Sequence, residues 1–164
     1  MIMKLETGDI VFIKPKGILS WIISKLTKCN YSHVVLIYKE LNPQLIMDTD
    51  WSYTRLRKLD YYKERGYSIY RIKGGLDTSQ KTLIKLWMQK NLDKKYDYIQ
   101  LFSFLNRIVF KMDKIFNNPD MFVCSEMVDR AFSDIGIDLV DRYELGDVTP
   151  DDLIKSPLIE KKII

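Results

Sequence analysis

Apolar residues in the first half of the chain occur in short runs rich in branched and aromatic side chains, and turn-forming residues separate these runs. Gly8 precedes the first run, Pro15 follows it, and Asn42-Pro43 separates the second from the third. Runs of this length and composition predict β-strands, and the second and third runs predict a hairpin about Asn42-Pro43. The predicted strands cover residues 9–13, 33–38, 44–49 and 67–72.

Other segments carry apolar residues at intervals of three and four, which is the spacing of an amphipathic helix. The first predicted helix has Ile18, Leu19, Ile22, Ile23 and Leu26 on its apolar side. Repeats, linkers and low-complexity tracts are absent from the sequence, so it predicts a single α+β domain over residues 1–164. The predicted helices cover residues 17–27, about 78–88, 98–110, 124–135 and a short capped stretch at 149–153.

The composition, with 46% hydrophobic and 29% charged residues in a chain of 164, is that of a globular protein. The net charge is +4, but lysines are interleaved with acids, so no concentrated basic patch predicts nucleic-acid binding. With this charge, we expect at most peripheral contact with an anionic membrane or a cell-wall surface. The N-terminus lacks an apolar signal sequence and no apolar run could cross a bilayer, which predicts a soluble cytoplasmic protein. One histidine and two distant cysteines cannot supply a usual zinc ligand set, so no metal is expected.

The candidate chemistry depends on His33, the only histidine, and on Cys124, which follows a helix-breaking run and begins a helix. At a helix start, unpaired backbone N–H groups and the helix dipole stabilise a thiolate. A thiol of this kind and an imidazole are what a cysteine nucleophile and its base require. Because His33 and Asp48 lie nearly symmetrically about the predicted turn, the hairpin brings an acid close to the imidazole. The register decides whether Asp48 or Asp50 faces the ring.

Each of these residues also has an ordinary structural explanation. Cys124 is equally typical of a small buried hydrophobe, and His33 of a half-buried residue at the start of a strand. Cys29 lies in a loop without a helix behind it, so it is the weaker nucleophile, and both thiols are expected to be free. Ser125 and Glu126 are expected to cap the Cys124 helix and to take no part in chemistry.

Five short motifs occur in an order and spacing that resemble one family. They are Gly8-Asp9-Ile10-Val11-Phe12, Ser32-His33-Val34, Tyr96-Asp97-Tyr98, Cys124-Ser125-Glu126-Met127-Val128 and Thr149-Pro150-Asp151-Asp152-Leu153. This combination resembles the circularly permuted branch of the NlpC-type papain-like cysteine hydrolases, to which the bacterial YiiX and YebB proteins and a small poxvirus protein belong. The resemblance spans nearly the whole chain. In this branch the histidine strand precedes the cysteine helix, which is the reverse of the order in papain.

The resemblance implies a papain-like α+β fold in which helices pack against a small antiparallel sheet. It implies that Cys124 is the nucleophile, His33 the base and Asp48 the residue that orients the imidazole, where relatives often carry the longer Glu. The backbone N–H of Cys124 and the side chain of Tyr96 would stabilise the oxyanion. The implied reaction is hydrolysis of an amide or ester through an acyl-enzyme, and it needs no cofactor.

Relatives point to two substrate classes, cell-wall peptides and lipid acyl groups, and the large apolar residues at 83–88 and 98–109 favour a lipid chain. The alternative function is a catalytically silent module of the same fold that binds a lipid or a peptide. A structural protein with a buried cysteine and histidine is the third interpretation. A hydrolase needs Cys124 to be more reactive than Cys29, whereas the other two do not.

Overall fold

The computed structural model describes residues 4–26, 29–49, 52–97, 121–141 and 148–162. The strands in these ranges are β1 (Ile10–Ile13), β2 (His33–Lys39), β3 (Leu45–Thr49), β4 (Thr54–Lys58), β5 (Tyr67–Ile72), β6 (Lys95–Tyr96), β7 (Met121–Phe122) and β8 (Ile159–Lys162). The helices are α1 (Ile18–Leu26), a 3₁₀ helix (Leu59–Arg65), α2 (Thr78–Lys90), α3 (Cys124–Ser133) and α4 (Pro150–Ile154).

Within the described ranges, six strands form an antiparallel sheet in the order β4-β3-β2-β1-β5-β8, and β6 pairs separately with β7. The predicted α+β class is therefore confirmed. All four predicted strands are present, each within one residue of its predicted ends. The prediction omitted β4, the 3₁₀ helix, β6, β7 and β8. The helix predicted over residues 98–110 lies outside the described residues.

The central strands are buried on both faces, which explains why their sequences are continuously apolar. One face packs against α2 and α3, and the other packs against the 3₁₀ helix. Alternate residues of each strand point to opposite faces, so β1 and β2 contribute to both cores. The first core includes Ile10, Phe12, Val34 and Leu36, and the second includes Val11, Ile13, Val35 and Ile37.

In α1, two of the five residues predicted on the apolar side are exposed. Ile18 and Ile22, both expected on the apolar side, are 81% and 39% exposed, and Trp21 is 56% exposed. By helical geometry, Ile18 and Ile22 lie at the edge of the predicted stripe that borders Trp21. The burial of the other three predicted residues, Leu19, Ile23 and Leu26, lies outside what the structure describes. Among the described residues, no helix is long and apolar enough to cross a membrane.

Gly8 and Asp9 directly precede β1 and determine the backbone conformation there. The carboxylate of Asp9 accepts hydrogen bonds from the Arg71 guanidinium, at 2.6 Å from Nε, and from the backbone N–H of Glu6, at 2.8 Å. Gly8 has a φ of +87°, and a Cβ atom added there would lie 2.6 Å from Leu76 Cδ1. The motif is therefore explained by backbone conformation and by ion pairing.

We expect Gly8→Ala to lower the free energy of unfolding by about 1–3 kcal/mol, because it adds both backbone strain and a close contact with Leu76. Gly74→Ala is the matched control, since Gly74 also has a positive φ, +82°, but no atom lies within 4 Å of the added Cβ. Urea unfolding of the two variants measures the difference. Equal losses of unfolding free energy in the two variants would show that the close contact with Leu76 has no effect on stability.

Candidate active site

Cys124 is the first residue of α3, and Val123 precedes it at the N-cap position. The backbone N–H groups of this first helical turn have no partners within the helix, so they favour negative charge at the sulfur. The thiol also accepts a hydrogen bond from the backbone N–H of Val34 in β2. Cys124 is only 6% exposed. The sulfur thus lies between a helix start and the strand that His33 begins.

His33 and Asp48 come together across the β2–β3 hairpin. Leu36 pairs with Met47, and this register places Asp48 diagonally opposite His33 on the same face of the sheet. His33 Nε2 lies 2.7 Å from Asp48 Oδ1. The Asp side chain is therefore long enough to reach the ring from this diagonal position. Asp50, the alternative acid, lies outside the described residues.

The second oxygen of Asp48 is held by two residues that the sequence analysis missed. The Tyr62 hydroxyl donates to Oδ2 at 2.8 Å, and Arg57 Nε lies 3.1 Å from the same oxygen. Tyr62 belongs to the 3₁₀ helix, and its ring centroid is 5.7 Å from that of His33. Arg55 and Arg57 flank Leu56, and this alternation indicates a strand with both arginines on one face. The pattern could have identified Arg57 from the sequence.

The charges of these side chains depend on one another. Burial alone would lower the pKa of His33, but the Cys124 thiolate and the Asp48 carboxylate raise it to about 10. Burial would raise the pKa of Cys124, but the charge and hydrogen bond of His33 bring it below its ordinary value. Because His33 Nε2 faces Asp48, Nδ1 is the ring nitrogen left for the thiol. The two groups therefore favour a thiolate beside an imidazolium.

Asp48 stays ionised in spite of its burial. Loss of water would raise its pKa, but the hydrogen bond and charge of His33 outweigh this effect and lower it, with help from Tyr62 and Arg57. The same carboxylate, together with burial, raises the pKa of Tyr62, so the phenol keeps its proton and remains a donor.

Cys29 has a different environment, although it is also buried and both thiols are free as expected. Burial raises the pKa of Cys29, and the hydrogen bond from the backbone of Tyr31 only partly opposes this. Its backbone carbonyl accepts from the Ser24 hydroxyl at 2.5 Å. The pKa values of the two cysteines therefore shift in opposite directions. Each cysteine can serve as an internal control for the other.

A cavity of about 130 Å³ opens beside the thiol and the imidazole. Among the described residues, its lining contains no aliphatic side chain, and Arg57 and Arg65 contribute positive charge. Tyr96 lines the same cavity. Its position follows from the β6–β7 pair, in which Tyr96 lies opposite Phe122, two residues before Cys124.

Ser125 and Glu126 lie in the first turn of α3, the helix that they were expected to help cap. The N-cap residue of α3 makes no side-chain capping bond. Ser125 Oγ instead donates to the backbone carbonyl of Val148 at 2.5 Å, and Glu126 forms an ion pair with Arg130 one turn later. Because Val148 directly precedes the capping box of α4, the Ser125 bond connects the cysteine helix to the last of the five motifs.

Among solved structures, the chain is similar to the metalloprotein YiiX from Escherichia coli O157:H7, with a TM-score of 0.77 and 19% identity over 98% of each chain. No protein-family model matches the chain, and no curated protein matches it significantly. The likeness shows that the chain has the YiiX fold, which confirms the resemblance at the level of the fold.

That protein is described as a metalloprotein, so the donor atoms of the present site bear on whether a metal fits. Within the described ranges, no three His, Cys, Asp or Glu side chains are grouped to hold a metal ion. The site offers the Cys124 thiol and one imidazole whose Nε2 faces Asp48, whereas zinc sites use three or four protein ligands. The described residues therefore do not fit a metal centre.

We expect iodoacetamide to alkylate Cys124 at least about tenfold faster than Cys29 at pH 7, because each unit of pKa difference changes the thiolate fraction tenfold. The lowered pKa keeps Cys124 reactive as the pH falls, whereas Cys29 gains reactivity only in alkali. Mass spectrometry of labelled peptides measures both rates.

The His33→Ala variant removes the cation, so its Cys124 profile should shift to higher pH while circular dichroism remains that of a folded protein. Labelling of Cys29 first, with Cys124 reacting only after unfolding, would identify Cys124 as an inert core residue.

Proposed function

We propose that this protein is a cysteine hydrolase with a circularly permuted papain-like fold, and that it cleaves an amide or ester bond through an acyl-enzyme. The observation that supports this most is the continuous chain of contacts from Asp48 through His33 to Cys124. The chain ends in a thiol at a helix start, beside an open cavity. Nucleophile, base and orienting acid are the three parts of a catalytic triad.

The proposed reaction begins with attack of the Cys124 thiolate on the substrate carbonyl carbon. A C–S bond forms, and the carbonyl oxygen becomes an oxyanion that accepts hydrogen bonds from the backbone N–H of Cys124 and from Tyr96. The His33 imidazolium then protonates the leaving amine or alcohol as the carbonyl carbon releases it. This step leaves a thioester on Cys124 and a neutral imidazole.

Water completes the cycle. Neutral His33 takes a proton from a water molecule, which attacks the thioester carbonyl, and the C–S bond breaks to release a carboxylic acid. The thiolate and the imidazolium are restored together. Asp48 orients the ring throughout, and Tyr62 and Arg57 are positioning residues because they hold the second carboxylate oxygen.

A silent binding module and a purely structural protein explain this arrangement less well. Asp48, His33 and Cys124 form a contiguous chain of contacts that ends at a cavity, and a binding fold does not require this arrangement. Both cysteines belong to the hydrophobic core, but Cys124 also lines the cavity beside His33. The opposite pKa shifts of Cys124 and Cys29 favour a role for only one of them.

The cavity limits which part of the substrate it can accept. At about 130 Å³ and with polar and aromatic walls, it fits a carbonyl with a short polar substituent better than a long apolar chain. Arg65 favours a substituent that carries negative charge, whereas the Arg57 guanidinium is paired with Asp48. The substrate classes to be compared are a peptide amide from the cell wall and an ester of a lipid acyl group, whose chain would lie outside the cavity.

Intact-protein mass spectrometry during turnover of activated acyl esters and peptide amides should reveal a covalent acyl group on Cys124. Cys124→Ala should lose both the adduct and the hydrolysis, and Cys29→Ala should keep both. His33→Ala should reduce the rate of acylation about 10²–10⁴-fold, which is the usual contribution of a general acid–base.

Tyr96→Phe separates the oxyanion role from folding, because it removes only the hydroxyl group. We expect a lower rate of acylation with unchanged alkylation of Cys124. Failure of every ester and amide to acylate a Cys124 that alkylates rapidly would favour the silent binding module.

A further inference from the structure

Helix α1 carries an apolar patch at the protein surface. Ile18, Trp21 and Ile22 are 81%, 56% and 39% exposed. Positions separated by three and four residues lie on one face of a helix, so the three side chains adjoin one another. Single exposed apolar residues are ordinary, whereas an adjoining group of large ones marks an interaction surface. We call these three residues the α1 patch.

The charge around the α1 patch is positive. From Ile10 to Lys39 the sequence contains five lysines and no acidic residue. The ammonium group of Lys25 lies 5.8 Å from the ring centroid of Trp21, so one cation lies directly over the patch. Lys16 lies just before the helix, and its contact with Glu64 is 3.6 Å long and largely exposed. Solvent screens such a pair, which leaves the lysine available to a stronger anionic partner.

Helix α1 also reaches the candidate active site, although through a residue outside the α1 patch. Ser20, which is in the same helix between Ile18 and Trp21, lines the cavity that holds Cys124. Tyr61 of the 3₁₀ helix lines the cavity too and is 64% exposed. The helix that carries the α1 patch therefore also forms part of the cavity wall, although none of the three patch residues is among the described lining residues.

We propose that the α1 patch docks on an anionic phospholipid bilayer and so holds the helix that contributes Ser20 to the cavity at the lipid surface. Ile18, Trp21 and Ile22 enter the boundary between headgroups and acyl chains, and Lys16 and Lys25 contact lipid phosphates. Tryptophan beside lysine suits this boundary, where one end of the side chain is apolar and the other is wet.

Charge favours a bilayer over the other occupants of such a patch. Lysine is depleted in protein–protein interfaces, and two copies of this cationic surface would repel each other. The docking does not depend on the proposed hydrolysis, so Cys124→Ala should bind vesicles as the native chain does. If docking holds, it also favours an acyl substrate that is presented by a membrane.

Cosedimentation with vesicles tests the proposal directly. The native chain and Cys124→Ala should bind vesicles of phosphatidylcholine mixed with phosphatidylserine, and high salt should release them. Pure phosphatidylcholine vesicles should bind little. The double variant Ile18→Ser/Trp21→Ser should bind the mixed vesicles at least about tenfold more weakly, since it exchanges buried apolar area for hydroxyl groups.

Leu83→Ser/Leu86→Ser is the matched control, because these two α2 leucines are 48% and 55% exposed but lie on another helix. It should bind as the native chain does, and thermal unfolding checks that each variant is folded. Lys16→Gln/Lys25→Gln should lose the preference for phosphatidylserine.

Three outcomes would overturn the proposal. The first is no binding to mixed vesicles, and the second is equal binding to neutral and anionic ones. The third is a native dimer, without vesicles, that Ile18→Ser/Trp21→Ser converts to a monomer, because the α1 patch would then be covered by a second copy of the chain.

Discussion

A carboxylate that loses its water must be compensated by other groups, and Asp48 is fully buried. Its partners come from three different elements: His33 from β2, Arg57 from β4 and Tyr62 from the 3₁₀ helix. Removal of any one of them would leave a buried charge less well compensated. The need to compensate this one group therefore holds the hairpin in its register and keeps the 3₁₀ helix over that face of the sheet.

The charge of Asp48 also affects the Cys124 sulfur. Asp48 supports positive charge on His33, and the imidazolium in turn supports negative charge on Cys124. The next residue of β3 contributes as well, because the Thr49 hydroxyl donates to the sulfur of Met127 in α3 at 2.8 Å. One strand thus carries the acid and also contacts the helix that presents the thiol. The position of the sulfur and its charge have a common structural origin.

The sequence predicted the parts of this arrangement that depend on local pattern. Continuous apolar runs predicted the central strands, and the near-symmetry about Asn42-Pro43 predicted that an acid, Asp48 or Asp50, would lie close to His33. It did not predict Arg57 and Tyr62 as partners, because their contacts depend on how β4 and the 3₁₀ helix pack over Asp48. Nor did helical periodicity predict that Ile18 and Ile22 would be exposed, since periodicity identifies an apolar stripe but not what packs against it.

The central claim is that the thiolate and the carboxylate hold His33 as an imidazolium at neutral pH. Because His33 is the only histidine, an NMR titration of its ring resonances reports this group without assignment ambiguity. The account predicts a pKa of about 10 in the native chain and a clearly lower pKa in Cys124→Ala, where the thiolate is absent. A native titration near the ordinary value of 6.5, unchanged by Cys124→Ala, would contradict the ion pair and the mechanism proposed from it.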